Sequence, residues 1–137
     1  MDRLMREEDG SVLPLTLGYV LLAIVLILVT VDATSLYLAH KRVEAIADAA
    51  ALAGSDGFDI AAGAGEPSTR LTDAEVTAQA QAIVDAYGSA WLVAANAPDG
   101  TSARATVATT WYAPIMSVFV PEGVSLQATA TSRSALR

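Results

Sequence analysis

The chain has 137 residues, 53% hydrophobic but only 6% aromatic, with one histidine, no cysteine and a formal net charge of −7. Lack of cysteine excludes disulfides, thiolate metal sites and cysteine nucleophiles, and an acidic balance without a basic patch argues against nucleic acid as a partner. Beyond residue 54 there is room for one small domain at most.

Residues 10–31 carry no charge. As a helix rising 1.5 Å per residue this run extends about 33 Å, enough to cross the hydrocarbon core of a bilayer. Pro14 suits a first helical turn, so the helix is expected to begin near Leu13 to Leu15. Gly18 reads either as a place for a neighbouring helix to approach or as lipid-facing filler. A secretory signal fits poorly: the apolar run is too long, and Val31-Asp32-Ala33 is a weak cleavage site. Asp32 closes the run, either facing water at the membrane boundary or meeting a basic partner. Arg3 and Arg6 on one side nearly balance Lys41 and Arg42 on the other. Orientation is therefore read from length: a short cytoplasmic head (residues 1–12), then a transmembrane and extended helix (13–54) leading to an extracytoplasmic domain.

Past Asp32, Leu36, Ala39, Val43, Ile46, Ala50 and Ala53 recur at spacings of three and four, forming one apolar stripe on a continuing helix. His40, Lys41, Glu44 and Asp48 lie mostly off it. The stripe has two candidate partners, the chain's own small domain or other single-span helices, and periodicity alone favours the first. Its alanines permit close approach but bury little area per contact.

Gly54 is expected to end this helix, and residues 55–71 have linker composition. Asp56 and Asp59 lack the regular acidic spacing of a calcium loop and read as solvated. Thr72-x-x-Glu75 is a capping box for a helix from Asp73 to Tyr87, with Val76, Ala80, Ile83, Val84 and Tyr87 on its apolar face and Gly88 closing it. Pro98-Asp99-Gly100 reads as the turn between strands at Ala90 to Ala95 and Ala103 to Tyr112. After Pro114 to Pro121, alternation from Val124 to Thr131 predicts a third strand. The fold class is thus α+β, with residues 72–137 forming a helix and a three-stranded antiparallel sheet. Trp91, Trp111, Tyr112 and Phe119 are expected to anchor its core, an exposed partner-binding patch being the alternative.

The series Asp9-Gly10-Ser11-Val12, Pro14, Val31-Asp32, Leu36-Tyr37-Leu38-Ala39, Arg42 and Ala47 to Gly54 resembles the N-terminal segment of TadE/TadG-like proteins of tight-adherence (Flp) pilus assembly. The resemblance implies a single-pass protein of the bacterial inner membrane with a pilin-like outer part. Its partners would be the lipid bilayer and other pilus-assembly or secretion membrane proteins, with self-association open. Family members cut by prepilin peptidase are cleaved after a glycine and carry glutamate at the fifth position beyond it. Counted from Gly10, that position is Leu15, so the resemblance is to the uncleaved, TadG-like type.

No chemistry is expected. His40 and Glu44 form a helical polar pair without a nucleophile, and no phosphate loop, dinucleotide fingerprint or metal-ligand cluster accompanies them. The chain is therefore read as a non-enzyme without cofactor. The competing reading is a membrane-tethered binding module unrelated to pili.

Overall fold

The computed structural model describes residues 9–56 and 70–133. Helix α1 spans Asp9–Ser55 and helix α2 spans Asp73–Tyr87; strands β1 (Trp91–Asn96), β2 (Ser102–Trp111) and β3 (Val124–Arg133) form one antiparallel sheet in the order β1-β2-β3. The expected α+β class holds.

Two details of α1 differ from expectation. The helix begins at Asp9, so Pro14 is its sixth residue rather than part of its first turn. The missing proline N–H removes one bond near the helix end. Gly54 lies inside the helix, which continues through Ser55. A Cβ there would stand 2.9 Å from Val76 Cγ1 and 3.2 Å from Ala103 Cβ. Gly54 therefore serves as a point of close approach between α1, α2 and β2, and not as a cap.

Helix α2 starts as its sequence dictates. The Thr72 hydroxyl accepts the Glu75 N–H, and Glu75 Oε2 accepts the Thr72 N–H at 3.0 Å. Gly88 closes the helix in the left-handed conformation, φ 63°. Asp73 Oδ1 accepts the Ala97 N–H at 2.7 Å and the Thr77 hydroxyl donates to Ala95 O at 3.1 Å, tying the start of α2 to the end of β1.

The C-terminal half of α1 and helix α2 pack on one face of the sheet. Their shared core comprises Val43, Ile46, Ala47, Ala50 and Ala51 from α1, Ala80 and Val84 from α2, and Ala105 and Val107 from β2, with Leu92, Leu126, Ala128 and Ala130 packed against it. More than half of its fully buried residues come from α1, so the sheet and α2 complete their core on the long helix. A second cluster, Leu71, Val76 and Ala103, sits at the end near Gly54.

The aromatic side chains do not anchor this core. Trp91, Tyr112 and Phe119 are exposed, Trp111 is half-buried, and Tyr87 is exposed at the end of α2. Alanine on both facing surfaces brings backbones too close for rings to enter. Val93 is bulged out of the β1–β2 register between Leu92 and Ala94 and is also exposed.

Strand β2 runs antiparallel to α1. Near its first residue, Ser102, which pairs with Arg133, the Ser55 and Ser132 hydroxyls lie 3.1 Å apart. Near its last, the Trp111 indole N–H reaches Ser35. The loop between β2 and β3 therefore lies at the end of the sheet nearest the apolar run. Gly123 (φ 73°) turns that loop into β3, where a Cβ would meet Trp111 O at 2.7 Å.

In the β1–β2 turn, Asp99 Oδ1 accepts the N–H groups of Thr101 and Ser102 at 2.9 and 2.6 Å, and Oδ2 accepts the Ser102 hydroxyl at 2.9 Å. These donors hold its carboxyl well below the usual aspartate range, the Thr101 N–H foremost. A depressed folded-state value stabilises the fold above the ordinary aspartate pKa of about 3.9 and loses that contribution as pH falls below it. Asp99→Ala is expected to flatten the acid limb of a melting-temperature profile followed by circular dichroism. An acid limb as steep as wild type would contradict this role.

At Gly54, alanine would improve helix propensity by about 1 kcal/mol, but overpacking costs about 1–3 kcal/mol. Gly54→Ala is therefore expected to lower the melting temperature. A rise would show that the helices have room to separate.

Candidate functional site

The polar residue at the end of the uncharged run is turned inward. Asp32 is 7% exposed, and its Oδ1 accepts the backbone N–H of Ile115 at 3.1 Å. Asp32 therefore does not face water, as one reading of the sequence had it. Its Oδ2 is buried with no hydrogen-bond partner among the described residues. One helical turn further on, the Ser35 hydroxyl accepts the Trp111 indole N–H at 3.1 Å. A half-buried tryptophan thus finds the acceptor its N–H requires, and the same bond fixes the end of β2 to α1. These two contacts form a polar clasp between the helix at the apolar boundary and the β2–β3 loop.

Above the clasp the apolar stripe faces the chain's own core. Val43, Ile46 and Ala50 are fully buried, whereas Leu36, Ala39 and Ala53 are half-buried. Ala47 and Ala51, adjacent to the stripe as read from sequence, are buried as completely as its centre. The buried face is broader than a single line of alternating spacings because helix α2 and the sheet cover it from two sides. Between α1 and the end of β2 lies an open groove of about 310 Å³, lined by Ala39, Arg42, Val43, Ile46, Thr109 and Trp111 among others.

The exposed side of α1 carries the charges. Glu44 Oε1 lies 3.2 Å from His40 Nε2 and Glu44 Oε2 lies 2.7 Å from Lys41 Nζ. The hydrogen bond between Lys41 and Glu44 raises the lysine pKa and lowers that of the glutamate. Such solvated pairs add little stability, and Glu44 is partnered by the Lys41 ammonium and the His40 ring on the helix surface. Among the described residues no group of three or more His, Asp and Glu could hold a metal ion. Asp59 lies outside the described residues.

Sequence reading identified Asp32 but not its partner. Ser35 and Ile115 escaped notice because the clasp joins positions about eighty residues apart, and an amide N–H leaves no mark in composition. The one available signal was Trp111, whose indole needs an acceptor if buried.

Within the membrane run, the hydroxyls of Thr16 and Thr30 donate to Val12 O and Leu26 O at 2.8 and 2.7 Å. Each satisfies its polar atom within the helix, as a position facing lipid would require. The segment from Val12 to Ser55 is long and apolar enough to cross a membrane.

Replacing Asp32 by alanine would remove the acceptor of the Ile115 N–H, a hydrogen bond of about 1 kcal/mol. Amide hydrogen exchange at Ile115 is expected to accelerate in Asp32→Ala while Val84 in α2 keeps its protection. Unchanged exchange at Ile115 would mean that the carboxylate does not hold the loop.

Residues 10–65, fewer than half of the chain, match the Tad family model for TadE/G-like Flp pilus assembly. No curated protein and no solved structure matches the chain. The match takes in α1 from Gly10 onward, the region in which the sequence already resembled this family. The matched residues thus lie largely on the same helix that bears the apolar run, the clasp and more than half of the buried core shared with α2 and the sheet.

Proposed function

We propose that this chain is a single-pass accessory protein of Flp pilus assembly or a related secretion apparatus, acting through helix-mediated contacts rather than chemistry. Its N-terminus is cytoplasmic and its outer domain, α2 with the sheet, is extracytoplasmic. The observation that carries the reading is the coincidence of the family match with α1: the matched residues include both the run long and apolar enough to cross a membrane and more than half of the buried core shared with α2 and the sheet.

The geometry divides the labour along α1. Val43, Ile46 and Ala50 are occupied by the outer domain, so lateral contacts with other membrane proteins fall to the exposed part of the helix. That part comprises the apolar run, including Gly18 with open space around its Cα, and the half-buried Leu36 and Ala39 beside exposed Tyr37 and Leu38. Small residues in a spanning helix allow close approach of a second helix. Self-association would use the same face.

Photo-crosslinking residues placed in native membranes test this division. At Gly18 and Leu38 they are expected to yield adducts with other single-span proteins of the pilus machinery; at Ile46 they should yield only internal adducts, with α2 or the sheet. Intermolecular adducts at Ile46 but none at Gly18 or Leu38 would reverse the assignment. Normal piliation in a strain lacking the protein would remove the pilus role.

A further inference from the structure

The β2–β3 loop has a composition unsuited to water. From Trp111 to Pro121 the chain carries no charge, and Tyr112, Ile115, Met116, Val118, Phe119 and Val120 are all exposed, with Val118 at 84% and Phe119 at 78%. Water-facing loops are ordinarily polar, and a contiguous apolar patch marks a surface that is covered in use. Ala113 turns inward and is buried, and the hydrogen bonds that tie this end of the sheet to α1 run from Ile115 to Asp32 and from Trp111 to Ser35, so the six exposed side chains remain uncovered among the described residues.

Its position identifies what covers it. Val12 to Val31 rise about 29 Å as a helix, the thickness of a bilayer's hydrocarbon core, so Asp32 stands at the boundary between core and headgroups. The clasp holds Ile115 at that level. Strand β2 descends toward the boundary, the loop turns there, and β3 climbs away from it. The exposed apolar side chains therefore adjoin the lipid-facing surface of α1. Trp111 and Tyr112 stand where amphipathic rings gather at membrane interfaces.

We propose that residues 112–120 insert into the interfacial layer of the same bilayer that α1 crosses, giving the outer domain a second membrane contact. The occupant is phospholipid at the junction of headgroup and acyl chain. The loop carries no basic residue, so recognition is by apolar burial and requires no anionic lipid. With one contact along the helix and another beside it, the domain is fixed in tilt and rotation relative to the membrane. The buried Asp32 is then explained as well: its carboxylate is sealed between helix and loop instead of meeting lipid. The inference rests on the reading of Val12 to Val31 as a membrane span.

The chain has no cysteine, so single cysteines can carry an environment-sensitive fluorophore on the full-length protein. Phe119→Cys, Gln127→Cys on exposed β3 and Leu21→Cys in the apolar run would be compared in phosphatidylcholine nanodiscs, using lipids with a nitroxide near the top or the end of the acyl chain. The label at 119 is expected to shift to the blue and lose most of its emission to the shallow nitroxide. The label at 21 should be quenched by the deep nitroxide, and the label at 127 by neither. Quenching at 21 with 119 behaving like 127 would overturn the loop insertion and leave the span intact. Emission at 119 that is blue-shifted but not quenched by lipid would mean that protein covers the patch, which also overturns it. Absence of quenching at 21 would refute the span, and the insertion with it.

Discussion

Everything in this chain depends on the alanine seam of α1. Ala47, Ala50 and Ala51, flanked by Val43, Ile46 and Gly54, let α2 and the sheet lie directly against a helix that also carries the membrane run. Small side chains gain little from burial individually, so the outer domain needs many of them in register and a close backbone approach. The same closeness excludes rings, which is why the aromatic residues lie outside the core. The run long and apolar enough to cross a membrane and the seam on which α2 and the sheet pack are consequently parts of one element.

The polar contacts are placed where the seam ends. At the far end, Ser55 donates its hydroxyl to Leu52 O and meets Ser132; at the near end, Asp32 and Ser35 receive Ile115 and Trp111. Apolar contact alone allows helices and sheets to slide, whereas hydrogen bonds to fixed donors set register. The two ends thus fix where along α1 the sheet sits. That in turn sets the height of the β2–β3 loop above the apolar run.

Much of this was legible in the sequence because it depends on local rules. An uncharged run of membrane length, the Thr72–Glu75 capping box with Gly88 beyond it, the turn at Pro98-Asp99-Gly100 and the alternation through β2 and β3 each involve neighbours a few residues apart. Helical spacing likewise placed Val43, Ile46 and Ala50 on one face. What escaped reading depended on distant parts of the chain. Gly54 looks like a helix end until the residues facing it are known, and Pro14 looks like a first-turn residue until the helix is seen to begin at Asp9. Trp91, Tyr112 and Phe119 look like core until the core is seen to be too narrow. Asp32 reads as either water-facing or paired with a basic partner because its donor, the Ile115 N–H, lies in a loop whose destination no local pattern reveals.

The central claim is that α1 is one unbroken helix from the lipid through the outer domain. Spin labels at Ile27 and Leu52, both exposed and on either side of the boundary, test it in the full chain in lipid nanodiscs. Twenty-five residues of continuous helix predict a single narrow distance distribution near about 38 Å. A broad distribution, or one centred well short of that value, would mean that the helix breaks at the boundary and that the domain is hinged to its anchor.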